Sequence, residues 1–320
     1  MKYWSPLEDL QQKLISSKGI VNAHAHLDRA YTIDSVKMQL TKNHLFEKWK
    51  LVDEIKKSRS KEEYEEGITL ALQMQKYYGV KTICSFIDID PIVGYKALDG
   101  ALAAREAVGV PNLLLACQTL KGILDRDARD LIEDRISDLD IIGSLPGADR
   151  GKEPEHLDMI LEMAKVYNKM VHVHVDQLNS PDEKETELLC RKTIEWGMEG
   201  QVVAVHSISL AAHSKSYRQE VYKMAQDAGM MFITCPTAWI DHPRTERLMP
   251  FHNAITPVDE MLEYDLTVAI GSDNIHDIYK PYSDGDMITE LRFLLEACKI
   301  YDIDTLQKIA VDNGLKVCGV

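Results

Sequence analysis

Histidines and one aspartate stand at the ends of four apolar runs that lie far apart in the chain. They are His24, His26, His172, His174, His206 and Asp273. A parallel strand that is buried on both faces reads as a continuous apolar run, and residues at its carboxyl end point into one shared opening. The four runs therefore predict donors that meet at one metal ion.

The spacing within two of the runs supports this interpretation. Residues i and i+2 of a strand face the same side, so His24 and His26 project together, and His172 and His174 repeat the spacing. Imidazole and carboxylate donors without a thiolate suit one divalent metal ion, Zn²⁺ or Fe²⁺, with Mn²⁺ or Ni²⁺ as alternatives. A position left open for water makes such a metal catalytic, because the bound water loses its proton near neutral pH.

The elements that must position these donors alternate regularly along the chain. Strands are predicted at residues 19–26, 82–89, 112–119, 140–145, 170–175, 202–206, 231–235 and 266–272. Helices are predicted at residues 62–78, 97–107, 154–167, 181–196, 216–228 and 256–264, with a helical tail at 287–314. Eight strands that alternate with helical segments predict an α/β fold, the (β/α)8 TIM barrel. A doubly wound sheet is the alternative, disfavoured because no Gly-x-Gly-x-x-Gly follows the first strand.

Composition narrows the class of protein. The 320 residues are 45% apolar and carry a net charge of −14, which disfavours binding to nucleic acid or to an anionic membrane. Residues 1–18 lack the basic start and apolar centre of a secretory signal. The six cysteines are scattered without Cys-x-x-Cys spacing, as is typical of reduced thiols. We expect a cytoplasmic protein without a membrane span whose partners are small molecules.

Four ordered motifs resemble the amidohydrolase superfamily, and in particular its cytosine deaminase and N-isopropylammelide isopropylaminohydrolase-like branch. The motifs are NAHAHLDRAYT at 22–32, VHVHVDQ at 171–177, AVHS at 204–207, and GSDNIHD at 271–277 followed by PYSDGDM at 281–287. The resemblance runs from Ile20 to about Gly319. It implies a metal-dependent hydrolase on a barrel scaffold.

The resemblance also implies roles for single residues. The metal ligands of the family fall on His24, His26, His174 and Asp273. His206 falls where the family polarises its substrate, and Asp273 would additionally carry a proton from water to the leaving nitrogen. His172, two residues before His174, is expected in the core or behind the ligands, with direct metal contact as the minority alternative.

Three departures from the cytosine deaminase pattern bear on the substrate. Gln177 stands where that branch places a proton-shuttling glutamate, and an amide cannot exchange a proton as a carboxylate does. Gln118 lies only near the position of the glutamine that follows strand three. Relatives usually carry a small β-sandwich, whereas here residues 1–18 form a short N-terminal extension and residues 19–320 the barrel catalytic domain.

Further side chains are candidates for substrate binding. Arg29 could meet an electron-rich substrate oxygen, although an ion pair with Asp28 is an equal alternative. Asp88, at the end of the second strand, could orient a ligand or Arg29. Trp239 and His242 stand where the branch forms its substrate wall, and simple packing of the exposed indole is the alternative.

These residues predict a metal-dependent hydrolase of a carbon–nitrogen bond, a deaminase or amidohydrolase of a small heterocycle or cyclic amide. The catalytic residues are expected to be Asp273, His206 and Gln177. One alternative is a metal- or ligand-binding barrel with lost or weak turnover, which Gln177 favours, and another is a metal-dependent esterase. A homo-oligomer is an alternative to the monomer, because a barrel without its sandwich leaves apolar helix surface to cover.

Overall fold

Eight parallel strands form the centre of the molecule. The computed structural model describes residues 5–238 and 255–320. Its strands are β1 Ile20–Ala25, β2 Val80–Asp88, β3 Asn112–Gln118, β4 Ile142–Ser144, β5 Val171–Val175, β6 Val202–His206, β7 Met231–Thr234 and β8 Thr267–Ile270. Each overlaps a predicted strand, because short runs rich in β-branched residues favour buried strands.

The strands close into a barrel. One ladder joins β1 to β3 and a second joins β4 to β8, in chain order. Single parallel bridges connect the two ladders, Ala116 with Ile141 between β3 and β4, and Ala25 with Asp273 beyond the end of β8. The predicted (β/α)8 barrel is confirmed. Within residues 5–238 and 255–320 every strand belongs to it, so no accessory sandwich is present there.

Helices cover the outside of the barrel. They are α1 Pro6–Ser16, α2 Leu45–Ser58, α3 Lys61–Tyr77, α4 Lys96–Val108, α5 Arg126–Asp134, α6 Glu153–Tyr167, α7 Glu185–Trp196, α8 Lys215–Asp227, α9 Val258–Glu263, α10 Met287–Cys298, α11 Ile303–Gln307 and α12 Asn313–Val317, with a π-helical turn at Lys308–Asp312. Among the described helices, none is long and apolar enough to cross a lipid bilayer.

Three helices were not predicted. Helix α1 lies inside the predicted extension 1–18, where the Ser5 hydroxyl caps it, and its Leu10 and Leu14 join the core outside the barrel. The domain boundary at residue 18 stays a prediction. Helix α2 follows the first strand and helix α5 follows the third. Both lie in long connections, α5 with nine residues and α2 with 14, and no helix is predicted over either segment.

Two predicted helices have wrong bounds. Residues 181–184 are not helical, because α7 begins at Glu185, where the Asp176 carboxylate accepts hydrogen bonds from the first backbone amides. The predicted tail 287–314 is divided. Lys299 ends α10 in a left-handed conformation with φ 55°, and the Asp302 side chain caps α11. Side-chain capping fixes both boundaries.

The core has two layers, which follow the alternation of side chains along each strand. Ala23, Phe86, Val205 and Ala269 point inward and pack with one another inside the barrel. The residues between them, such as Ile83, pack outward against the helices. The barrel interior is therefore filled, and it provides a rigid floor for side chains at the strand ends.

Candidate metal centre

Five donor side chains meet at the carboxyl ends of the strands. His24 lies near the end of β1 and His26 follows that strand, His174 lies in β5, and His206 ends β6. Asp273 lies three residues beyond β8. All five side chains are buried. The barrel thus brings together every residue that the sequence predicts as a metal ligand.

Short distances join the donors. Asp273 Oδ1 lies 3.4 Å from His24 Nε2 and 3.3 Å from His26 Nε2. His174 Nε2 lies 3.3 Å from His26 Nε2. Two groups of ligand atoms lie within 4.8 Å of one another, those of His24, His26 and His174, and those of His24, His206 and Asp273. One ion could contact donors of both groups.

Two of the donors have left-handed backbone conformations, which set the direction of their side chains. His206 has φ 79° and Asp273 has φ 60°, a region that costs a non-glycine residue about 1 to 3 kcal/mol. The surrounding hydrogen bonds hold them there. Thr256 Oγ1 donates to the His206 carbonyl at 2.5 Å, and Asp273 N donates to the His24 carbonyl at 2.9 Å. Such strain is common at functional sites.

The unsatisfied atoms of the cluster fit a bound cation. Neither ring nitrogen of His24 has a hydrogen-bond partner among the described residues. Buried nitrogens without partners are rare, since each costs about 1 to 3 kcal/mol. Imidazole nitrogens with free lone pairs, placed around a carboxylate, are the donor set that Zn²⁺ and Fe²⁺ accept. The residues present therefore fit a divalent metal.

The protonation states of the donor side chains also suit a bound metal ion. Burial, reinforced by the neighbouring His26, lowers the pKa of His24 to about 4 against the pull of Asp273. Burial likewise lowers the pKa of His206 to about 4. For Asp273, burial alone would raise the pKa, but the surrounding imidazoles hold it well below its usual range. Neutral imidazoles and an ionised carboxylate are the forms that bind metal ions.

Hydrogen bonds also orient the ring of His174. Its Nδ1 lies 3.1 Å from the carbonyl oxygen of Ser144, to which it donates. The other nitrogen, Nε2, therefore carries the lone pair that faces the cluster. A backbone carbonyl behind the imidazole is a typical partner of a metal-binding histidine.

A cavity opens beside the donors. Gln177 lies on its wall together with His26, His174, His206 and Asp273. Six further residues, which were not predicted as substrate contacts, complete the wall with apolar, aromatic or amide surfaces: Leu45 and Trp49 of α2, Leu120, Leu145, Asn274 and Tyr279. The α2 residues were missed because that helix was not predicted, although Leu45, Lys48, Val52 and Ile55 repeat at helical spacing and are buried.

Arg29 lies on the cavity wall within an ion-pair network. Its Nη2 lies 3.3 Å from Asp88 Oδ1, and its Nε lies 3.7 Å from Asp28. Lys56 of α2 bridges Asp88 at 3.1 Å and Asp90 at 2.6 Å. Both sequence alternatives for Arg29 therefore apply, because it pairs with local acids and also faces the cavity.

Gln118 joins the same network and lines the cavity. Its Nε2 donates to Asp88 Oδ1 at 3.3 Å, whereas its Oε1 has no hydrogen-bond partner within the described ranges. An amide oxygen held in this way can accept a hydrogen bond from a substrate N–H. Asp88 itself is buried behind Arg29 and Gln118, which fits the expectation that it orients Arg29.

His172 lies away from the described cavity. His172 points into the barrel, and its Nε2 donates to the carbonyl of Val317 at 2.8 Å, so it belongs to the core, as the majority interpretation expects. Trp239 and His242 lie outside the described residues.

A closed parallel barrel with imidazoles and a carboxylate gathered at its strand ends defines a barrel hydrolase with a candidate metal centre. The chain belongs to the Amidohydrolase family, whose model matches residues 18–312. The predicted superfamily and the enzyme class are confirmed.

Relatives agree with this membership. An uncharacterized protein of Haemophilus influenzae is 45% identical over 258 residues, covering 79% of this chain and 94% of that protein. The N-isopropylammelide isopropyl amidohydrolase of Pseudomonas sp. is 23% identical over 95% of this chain and 75% of its own length. The crystal structure of 5-methylcytosine deaminase from Klebsiella pneumoniae, liganded with 5-fluorocytosine, has a TM-score of 0.86 at 24% identity over 93% of this chain and 74% of that chain.

Proposed function

We propose that this protein is a metal-dependent hydrolase of carbon–nitrogen bonds, a deaminase or amidohydrolase of a small heterocycle or cyclic amide. The observation that carries the proposal is the convergence of four neutral imidazoles and one carboxylate beside a cavity. Similarity to an N-isopropylammelide isopropyl amidohydrolase and to a 5-methylthioadenosine/S-adenosylhomocysteine deaminase supports it.

The proposed ligands of one divalent ion, Zn²⁺ or Fe²⁺, are His24, His26, His174 and Asp273. When bound, such an ion supplies Lewis acidity, which lowers the pKa of water toward neutrality and polarises the bond under attack. The protein holds the donors rigidly, because they stand on strands above a filled barrel. This rigidity fixes where water and substrate meet.

Proton transfer is assigned to Asp273. Its carboxylate is ionised in the free protein, because neighbouring imidazoles hold its pKa well below the usual range. It can therefore accept a proton from the attacking water and deliver it to the leaving nitrogen. Such transfers contribute about 100- to 10,000-fold to a rate.

His206 is assigned to the developing negative charge on the substrate. Its Nδ1 is buried without a hydrogen-bond partner in the described ranges, and its pKa of about 4 makes it neutral. A neutral imidazole can donate one N–H bond to an oxyanion without leaving a buried charge afterwards.

The side chains that line the cavity offer contacts suited to a flat, polar ring. Trp49 and Tyr279 offer aromatic surfaces, and Arg29, Gln118 and Gln177 offer hydrogen bonds. Gln177 can donate to a ring carbonyl or accept from a ring N–H, but it cannot shuttle a proton. This composition favours a cyclic amide or urea over a ring that must itself be protonated.

Metal removal tests the proposal. Metal analysis of the purified protein, followed by an ammonia-release screen of pyrimidines, triazines and cyclic ureas, identifies a substrate. We expect dialysis against a chelator to abolish activity and stoichiometric Zn²⁺ or Fe²⁺ to restore it. Activity that survives complete removal of metal contradicts the proposal.

Asp273→Asn tests the assignment of Asp273 to the reaction. The amide cannot accept a proton, so we expect kcat to fall at least about 100-fold. Asp265→Asn, an exposed aspartate before β8, is the matched control and keeps kcat within about twofold, as surface changes usually do. Equal activity of the two variants contradicts the assignment.

A binding barrel without turnover is the second candidate, and Gln177 in the cavity is the observation that favours it. In that case the protein binds its metal and a heterocycle, detected by calorimetry, while the ammonia-release screen stays negative. Asp273→Asn then changes affinity alone, because there is no turnover to lose.

A further inference from the structure

Three side chains form a hydrogen-bonded chain that ends at the candidate ligand His174. Asp149 Oδ2 lies 2.6 Å from His156 Nδ1, and His156 Nε2 lies 2.7 Å from Ser144 Oγ. The carbonyl of Ser144 accepts from His174 Nδ1 at 3.1 Å. His156 and Ser144 are both buried.

The direction of each hydrogen bond follows from the charge of Asp149. Burial alone would raise the pKa of this carboxyl, but hydrogen bonds from His156 and from Leu124 N hold it below its ordinary value. Ionised Asp149 accepts, so His156 Nδ1 donates to it and Nε2 accepts the hydroxyl proton of Ser144. The Ser144 carbonyl then remains for the Nδ1–H of His174.

Strand β4 needs this anchor. It has three residues, which pair with β5 along their whole length, but a single bridge joins it to β3, so few backbone hydrogen bonds fix it on that side. His156 stands in the first turn of α6, and Asp149 also holds the loop after β3 through Leu124 N at 3.2 Å. The hydrogen bonds among Ser144, His156 and Asp149 therefore connect the end of β4 to α6 and to the loop after β3.

We propose that Ser144, His156 and Asp149 are positioning residues for His174, which together hold the Ser144 carbonyl that orients the imidazole and thereby raise the affinity of the site for a divalent metal. This inference rests on the proposed metal-dependent function. Partners behind a ligand typically change metal affinity by 10- to 100-fold.

The same three residue types form the Ser-His-Asp triad of other hydrolases. Ser144, however, is 3% exposed, and it is not among the described residues that line the cavity. A nucleophile must reach the substrate. The geometry therefore assigns a positioning role and not a nucleophilic one.

Zinc affinity of the metal-free protein tests the inference, measured by competition with a chromophoric chelator. We expect Ser144→Ala and His156→Phe each to weaken Zn²⁺ binding about tenfold or more. The double variant loses no more zinc affinity than the single variant with the larger loss, because both substitutions break the same hydrogen-bonded chain. Ser144→Thr keeps a hydroxyl and restores affinity to within about threefold of wild type.

His213→Phe is the matched control, since His213 Nε2 donates to the Glu183 carbonyl and contacts no proposed ligand. The positioning role is overturned if the variants keep wild-type zinc affinity, even when their unfolding free energy falls. It is also overturned if the losses of zinc affinity in the two single variants add in full in the double variant. If His156→Phe does not fold, Ser144→Ala and Ser144→Thr decide the question. Absence of zinc binding by the wild type refutes the proposed metal site itself.

Discussion

His24 belongs to both groups of candidate ligand atoms. It is fully buried beside Phe86, with ring centroids 4.7 Å apart, and both its nitrogens lack hydrogen-bond partners in the described structure. A histidine buried to fill space would satisfy at least one nitrogen, because an orphaned polar atom is costly. A role as metal ligand accounts for both its burial and its free lone pair.

Gln177 is one of the residues at which the sequence differs from the cytosine deaminase pattern, and its replacement gives a prediction. Gln177→Glu places a proton-exchanging carboxylate on the cavity wall. We expect ammonia release from cytosine to rise at least about tenfold over wild type, since general acid–base catalysis contributes 100-fold or more. Steady-state kinetics with cytosine measures the change.

Gln177→Ala is the control for this prediction. It opens the same space without adding an acid, so its activity with cytosine stays at or below that of wild type. If the glutamate variant is as inactive as the alanine variant, the missing carboxylate does not limit the choice of substrate.

At the scale of elements, the connection from β5 to α7 positions Gln177. Asp176, with φ 52°, accepts hydrogen bonds from Glu185 N at 2.7 Å and Thr186 N at 3.1 Å. Glu183 accepts from Leu178 N at 2.8 Å. Carboxylates on both sides of Gln177 thus fold the loop back on the start of the helix.

Glu183 makes the stability of this connection dependent on pH. Burial, followed by the charge of Asp176, raises the pKa of Glu183 from its ordinary 4.5 to about 7. The folded state then binds the proton more tightly than the unfolded state does, so the stabilisation is complete below pH 4.5 and is lost as the pH rises through about 7. We expect Glu183→Gln to remove roughly 1 kcal/mol of the decline in unfolding free energy between about pH 5 and 8.

Urea unfolding across that range measures the effect. Glu187→Gln is the control on the same helix, because a hydrogen bond from Arg191 lowers the pKa of Glu187 and moves its titration below this window. A decline that is equally steep in wild type and Glu183→Gln contradicts the assignment.

At the scale of the whole molecule, the barrel closes through two weakly paired seams, and a glycine lies at each. A Cβ on Gly143 would lie 2.0 Å from the carbonyl oxygen of Cys117 across the β3–β4 seam. A Cβ on Gly271 would lie 2.7 Å from both Cβ and the carbonyl oxygen of His24 across the β8–β1 seam. Close backbone approach therefore completes the barrel and brings Asp273 to His24.

Gly271→Ala tests this closure. The added methyl group forces β8 away from His24, so we expect a loss of about 1 to 3 kcal/mol in unfolding free energy together with weaker metal binding. Gly147→Ala is the control, since its Cβ would meet only Trp49 at 3.9 Å. Denaturant unfolding and zinc titration of both variants measure the effect. If the Gly271→Ala protein is destabilised but keeps its zinc affinity, the close approach of β8 to β1 does not determine metal binding.

Much of the barrel could be predicted because its signals are local. Apolar runs such as Val202 to His206 mark each strand, and the donors stand where those runs end. Helix α2 and its Trp49 could not be predicted as part of the cavity, because their position depends on packing across the mouth of the barrel. His156 gave no signal, since it became relevant only where Ser144 and Asp149 meet it.

The amino-acid order alone determined the alternation of strands and helices, the candidate donors and the substitution of Gln177, because periodicity and residue chemistry are properties of short segments. The tertiary structure decided which of two closely spaced histidines faces the cluster: His174 turns toward His26 at 3.3 Å, whereas His172 turns to the Val317 carbonyl. It also decided that Arg29 both pairs with Asp88 and faces the cavity. Such distances depend on how the barrel closes, which no single segment encodes.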